Sequence, residues 1–204
     1  DVCVADLYYG TDYHSHLGTM RGGLATWGPD GFTRVIHDIT NNQFRSKFED
    51  DLPHLHGKSG IGVISDYEDQ PLIIGSHLGT YAIVTVGAIQ NLGALAERAC
   101  SRCSAHFSEM SGGHINPTEL VAMLIAEGDT IASGIENVYR HVKGSCSMLI
   151  LSEDCIIAAR DKLGRTPIVI GRKPGAYAVA FETCAFPNMG FETEKFLGPG
   201  EIVR

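Results

Sequence analysis

The side chains whose types and spacing could hold a metal are a Cys100-x-x-Cys103 step with His106 three residues on, and two histidine pairs, His14/His16 and His54/His56. A structural zinc site draws four ligands, usually from two such clusters. One CxxC with a single histidine falls short of that, so no metal is expected. Histidines two apart are common in loops and strands, and solvated surface positions account for the two pairs. The six cysteines are Cys3, Cys100, Cys103, Cys146, Cys155 and Cys184. Several sit in apolar runs, as Cys146 does in GSCSMLIL, where a thiol serves as a small hydrophobe, so free thiols are expected rather than disulfides.

The elements that must position these residues are short. VADLYYGTDYHSHL places Leu7, Tyr8 and His14 at near-helical spacing before Arg21-Gly22-Gly23, which reads as a helix breaking into a glycine turn. Three β-branched runs follow, GIGVIS (60–65), PLIIG (71–75) and YAIVTV (81–86), separated by turn residues as a mostly antiparallel sheet needs. The period then changes. Apolar residues three and four apart predict helices over 91–103, 117–127 and 131–142, with Thr118-Glu119 behind Pro117 as a helix start. After Gly144 strands return in SMLILS, CIIAARD, TPIVIG and AYAVAFE, with turns at Ser152-Glu153-Asp154 and Arg172-Lys173-Pro174-Gly175. Strands, helices and strands again is an α+β order, and a layered sandwich of helix, sheet, sheet and helix buries every apolar face economically.

A chain of 204 residues can bury a substantial single core, and no repeat or Pro/Gly/Ser linker divides it, so residues 1–204 are expected to form one domain. The net charge of −8, from 24 acidic and 16 basic side chains, repels phosphate backbones, and the basic residues are scattered singly. No nucleic acid is expected as partner. Neither an apolar run long enough to span a bilayer nor a secretion signal is present, so no membrane association and a cytoplasmic location are expected.

The C-terminal third carries recognisable text: Ala159-Arg160-Asp161, Gly164-Arg165, Pro167, Gly171, Glu182-Thr183-Cys184-Ala185 and Pro199-Gly200-Glu201. In this order it resembles the second half of the glutaminase domain of amidophosphoribosyltransferases, a class II glutamine amidotransferase. DLYYGTDYHSHLGTMRGGLAT resembles that family's first helix and its His-Arg-Gly-Gln turn, with Arg21 and Gly22 retained and Met20 and Gly23 flanking them. The likeness therefore spans the chain. It implies an N-terminal nucleophile (Ntn) hydrolase fold that releases ammonia from glutamine, no cofactor, and a phosphoribosyltransferase domain as partner in the parent protein, with homo-oligomers also expected. Arg160 and Asp161 read as a surface turn bound by a salt bridge, shaping the fold rather than the chemistry.

The same likeness assigns the site position by position. The family attacks the glutamine amide with an N-terminal cysteine whose own amino group is the base. Asp1 cannot do so, and the short central strand that precedes this segment in the family is expected to lie outside residues 1–204 or to be replaced. Cys3 reads as a small buried residue beside the first helix. The family's oxyanion donors, an Asn side chain and a Gly amide, fall at Val86 and Gly87, so one donor is kept and one is lost. Its carboxylate-gripping arginine falls at Ser65, beside Asp66 and Glu68, whose charges repel a carboxylate. Its ammonium-binding aspartate falls at Pro117, ahead of the retained Thr118 and Glu119. The residual pocket candidates are therefore Arg21, Gly22, Ser65, Asp66, Val86, Gly87, Thr118 and Glu119, with no catalytic residue among them. Arg21 is expected either to close the cleft by pairing with Asp66 or Glu68, or to face an open pocket. The resemblance implies a glutaminase-type domain of the purine nucleotide biosynthesis family, acting without glutamine hydrolysis as a scaffold or a regulatory, ligand-binding domain. The alternative is a working ammonia-supplying domain whose nucleophile strand lies outside residues 1–204.

Overall fold

A computed structural model of the chain describes residues 3–103, 107, 108, 110, 111 and 114–204, with the backbone alone at Arg102, Cys103, Met110 and Ser111. His106 lies outside the described residues, as does the side chain of Cys103, so the metal reading of that cluster is left where the sequence put it. Cys3, Cys100, Cys146, Cys155 and Cys184 are free thiols.

Small residues set the first sheet. Strand β1 (Arg21–Gly28) runs between β2 (Gly31–Asp38) and β3 (Ser59–Ser65), antiparallel to both. The glycine turn expected at residues 21–23 is the opening of this strand. The glycines are there for close approach: a Cβ on Gly22 would meet the Phe44 ring at 3.0 Å, and one on Gly23 would sit 1.7 Å from the Gln70 carbonyl oxygen. Helices α1 (Val4–Asp12) and α2 (Phe44–Phe48) cover the outer face. Val4 and Tyr8 pack there with Leu24, Phe44 and Phe48, and the Phe44 and Phe48 rings stack at 4.3 Å.

The second sheet has strands β4 (Leu72–Ser76), β5 (Gly79–Ile89), β8 (Gly144–Leu151), β9 (Ile156–Ala159) and β13 (Ile202–Val203). Their order is β13-β9-β8-β5-β4, all antiparallel. Ala25, Ile61 and Val63 of the first sheet meet Ala82, Val84 and Leu151 of the second, closing the space between them.

The stretch from 91 to 142 is helical as read, with α3 (Leu92–Cys103), α4 (Pro117–Ile125) and α5 (Ile131–His141), interrupted by two paired antiparallel strands of two residues each, β6 (Met110–Ser111) and β7 (His114–Ile115). Asn116 caps α4 by accepting from the Thr118 N–H at 2.9 Å, with Pro117 in the first turn. Thr130 and Ser133 form a capping box on α5. Leu120, Val121 and Leu124 of α4 and Ile135 and Val138 of α5 bury against Tyr81, Ile83, Met148 and Ile150. Helix, sheet, sheet and helix are thus stacked in four layers.

A third sheet, ordered β11-β10-β12, comprises β10 (Val169–Lys173), β11 (Ala176–Ala180) and β12 (Glu192–Phe196), backed by α6 (Phe186–Met189). Its Ile170 and Val179 pack with Ala158 of β9 and share Leu149 with the first interface, so it also covers the five-stranded sheet.

Arg160 and Asp161 do not form a surface ion pair. Asp161 is 1% exposed, and its carboxylate accepts from the Leu163 and Thr166 N–H groups at 3.0 and 2.9 Å. Arg160 donates instead to the carbonyls of Gly164 (2.6 Å), Thr166 (3.2 Å) and Leu197. Both ions satisfy a loop backbone that would otherwise be buried unpaired, so their role in shaping the fold holds while the salt bridge does not.

Leu120 is fully buried where α4 meets the five-stranded sheet. Leu120→Ala is expected to lower the unfolding free energy by about 2–5 kcal/mol, read from urea denaturation of the variant beside wild type.

Candidate functional site

The site is organised by one side chain. Gln70 is 1% exposed; its Oε1 accepts the Thr85 N–H at 2.7 Å while its Nε2 donates to the Thr85 carbonyl at 3.1 Å. A side-chain amide thus pairs with β5 as a neighbouring strand would. Beyond it, the Thr85 and Thr118 hydroxyls bond at 2.6 Å, and Asn116 donates to the Asp69 carbonyl at 3.1 Å. Glu119 is buried and accepts the Ser108 N–H at 2.9 Å.

Val86 and Gly87 follow Thr85 at the end of β5. Gly87 has φ +154, and a Cβ there would come within 2.2 Å of the Ser145 carbonyl, so only glycine fits. Val86 offers no hydrogen-bond donor on its side chain. Cys146 lies opposite Gly87 in the β5–β8 register, but burial pushes its thiol up to about 12, which leaves almost no thiolate at neutral pH. Burial likewise holds Cys3 at about 11.

Ser65, the last residue of β3, stands opposite Arg21 in register. Its hydroxyl accepts the Tyr67 N–H at 3.3 Å. Asp66 accepts from the Thr19 N–H and hydroxyl at 2.7 and 3.2 Å, fixing the approach to β1. Glu68 accepts from Gln70 Nε2 at 2.9 Å, and burial raises its carboxyl above the ordinary range.

Arg21 is paired, with other partners than those expected. Its Nε donates to Asp69 at 3.1 Å and its Nη1 to Asp38, the residue facing it across β1 and β2. Hydrogen bonds from Thr40, with a further one from Arg21, hold the Asp38 carboxyl down at about 2. Asp66 turns to the Thr19 loop and Glu68 to Gln70, so neither closes on Arg21. The cleft beside this pair measures about 350 Å³ and is lined by Arg21, Arg34, Ile36, His37, Asp38 and Asp69.

The candidates therefore fall into two groups. Arg21, Gly22 and Ser65 belong to the first sheet, with Asp66 just beyond it, and Val86, Gly87, Thr118 and Glu119 to the second sheet and its helix. The turn 65–70 joins them through Asp69 and Gln70. Sequence reasoning missed Asp38, Asp69, Gln70 and Asn116. Asp38 becomes Arg21's neighbour only once β2 is recognised, and a buried glutamine before Pro71 has no periodic signal.

A family profile described as a glutamine amidotransferase domain matches residues 56–188. The chain belongs to that family. Among similar proteins, the amidophosphoribosyltransferase of Methanocaldococcus jannaschii is 30% identical over 97% of this chain and 43% of its own length. That of Bacillus subtilis is 29% identical over 96% of this chain and 42% of its own length. The chain thus spans less than half the length of these relatives. The glutamine phosphoribosylpyrophosphate amidotransferase of B. subtilis, solved with ADP and GMP, superposes with a TM-score of 0.85 at 27% identity, covering 98% of this chain and 44% of that one. The glutamine amidotransferase domain accordingly has the Ntn hydrolase fold that the sequence implied, α+β in four layers.

Two substitutions test this network. Gln70→Ala would leave the Thr85 N–H and carbonyl unpaired in a buried place, and is expected to lower stability by about 1–3 kcal/mol in denaturant titration. Glu68→Gln keeps an acceptor for Gln70. Because the folded-state carboxyl is raised, ionising it at neutral pH opposes folding. The variant should melt above wild type at pH 7, and the gap should shrink as pH falls through the raised folded-state range and close once pH reaches the ordinary glutamate range.

Proposed function

We propose that this chain is the glutaminase-type domain of an amidophosphoribosyltransferase-like protein of purine nucleotide biosynthesis, that it does not hydrolyse glutamine, and that it serves a phosphoribosyltransferase domain as scaffold or regulatory module. The observation that carries this reading is Arg21, a cation of the candidate pocket engaged by both Asp38 and Asp69. An arginine held by two carboxylates has no charge left for a substrate carboxylate. Ser65, Val86 and Pro117 stand where the resemblance implies the clamp, one oxyanion donor and the ammonium partner. Loss of one oxyanion donor alone lowers kcat by about 10²–10³-fold. Each substitution removes a different chemical role, so one compensating change does not restore the reaction. The relatives' greater length supports a second domain in the parent protein.

One observation favours the second reading, a working glutaminase. Among the described strands β3 pairs only with β1, and β11 only with β10, although both sheets cover the same five-stranded sheet. A strand supplied from outside residues 1–204 could carry an N-terminal cysteine to such an edge.

Ammonia release from saturating glutamine, measured on the full-length protein, separates the two. No rate above the buffer blank is expected. Clear release, or covalent labelling of an N-terminal cysteine by a glutamine-analogue diazoketone, would overturn the first reading in favour of the second.

A further inference from the structure

The five-stranded sheet ends in two unlike edges. β13 spans only Ile202–Val203, whereas β4 runs Leu-Ile-Ile-Gly-Ser over Leu72–Ser76 and pairs on one side only, with β5. Which backbone groups β4 leaves open follows from its hairpin. The two residues His77 and Leu78 join the strands, so Ser76 and Gly79, which close that turn, are a hydrogen-bonded pair. Such pairs alternate with non-bonded ones along an antiparallel ladder. Ile74 and Leu72 therefore bond to Tyr81 and Ile83, while the N–H and C=O groups of Ile73 and Gly75 point away from β5. Among the described residues no backbone bond outside the ladder takes them up.

The side chains at this edge are complementary to a copy of themselves. Proteins ordinarily keep an edge strand from pairing with a charge, an internal proline or a bulge. β4 has none of these: residues 72–76 are uncharged and free of proline, and their register with β5 runs without a break. Ile73 is 38% exposed. Gly75 is exposed too, and a Cβ there would meet nothing within 4 Å, so open space stands over it. Two residues apart on a strand, Ile73 and Gly75 share one face. A branched apolar side chain thus sits beside a gap on the same face of the same open edge.

We propose that β4 is a dimerisation edge, which takes the β4 of a second copy of this chain in antiparallel pairing about a two-fold axis at Ile74. The open groups dictate that register. Ile73 of one copy faces Gly75 of the other, and each of these two pairs exchanges both of its N–H···O bonds. Each Ile73 side chain then covers the open face of the other copy's Gly75, so apolar surface leaves water without a clash. The two Ile74 residues meet at the axis as a non-bonded pair, with Cα atoms about 4.5 Å apart. Leu72 falls opposite Ser76, so no charge is brought against a like charge. A slip by one residue would set outward-pointing groups against inward-pointing ones and lose every bond between the copies. The symmetric pairing joins two five-stranded sheets into one continuous sheet and leaves no β4 edge open.

The test uses the full-length protein with the exposed Cys100 and Cys184 replaced by serine. Adding Ile74→Cys to that background should give a disulfide-linked dimer on mild oxidation, read on a non-reducing gel, because Cα atoms about 4.5 Å apart lie within disulfide reach. The background protein alone should stay uncross-linked. Ile73→Pro removes an N–H that only the second copy uses, and by sedimentation equilibrium it should weaken the pairing about ten- to hundredfold, the worth of one backbone hydrogen bond from each copy. Ile73→Lys, which leaves every bond to β5 in place and sets a charge on the edge, should likewise abolish the cross-link of Ile74→Cys. Folding of each variant is checked by circular dichroism, and if Ile73→Pro does not fold, Ile73→Lys decides. A protein that is monomeric at every concentration, an Ile74→Cys variant that fails to cross-link, or a cross-link that persists undiminished with Ile73→Lys would overturn the proposal. Where another part of the protein also holds copies together, the cross-link still reports this edge. Glutamine enters none of these measurements, so the interface and the proposed function stand or fall separately.

Discussion

The Gln70 carboxamide is the interaction on which the centre of the molecule depends. It supplies one donor and one acceptor to Thr85, at a point where β5 would otherwise present unpaired backbone to a buried space. Its own backbone presses so close to β1 that position 23 can carry no side chain. Through Thr85 it fixes Thr118 in the first turn of α4, and through Glu68 it fixes the preceding turn. Helix, two strands and a loop therefore share one polar nucleus between apolar layers. Each member is affordable in a low-dielectric interior only because the others satisfy it.

Charge is arranged by the same economy. Arg21 stands between Asp38 and Asp69, and Lys173 between Asp6 and the Met189 carbonyl. The second of these links the third sheet to α1, while His16 and Glu182 make a further crossing from the end of α1. Exposed pairs of this kind contribute little energy singly. Their value here is geometric, since they set how the layers register against one another.

Much of this was legible in the sequence wherever periodicity or a motif spoke. α4 and α5 carry three-and-four spacing with cap residues in place, β3 and β5 carry dense β-branched runs, and β8 carries the apolar run Met148–Leu151. The likeness of the C-terminal third gave the fold class, and its Arg-Asp and Pro-Gly-Glu segments are held to one another: Arg160 bonds the Leu197 carbonyl, and the Gly200 N–H bonds the Asp161 carbonyl. What escaped was governed by tertiary contact. Gly22 and Gly23 look like a turn, and only the Phe44 ring and the Gln70 carbonyl explain them as strand residues. β2 has an even, half-buried pattern with no apolar alternation, so Asp38 could not be foreseen as Arg21's partner. Asp161 read as a surface residue because nothing local announces that two N–H groups await it.

The outer strand β12 has a consequence of its own. It pairs on one side only, with β10, and every residue from Glu192 to Phe196 is exposed. An open strand edge is a template on which another molecule's strand can grow. Here the register slips between Ile170 and Gly171, and the strand reads Glu-Thr-Glu-Lys-Phe, so an antiparallel copy centred on Glu194 would bring two carboxylates face to face. A bend and a fixed negative charge at the rim let the molecule keep an unfinished sheet in crowded solution without seeding a fibre.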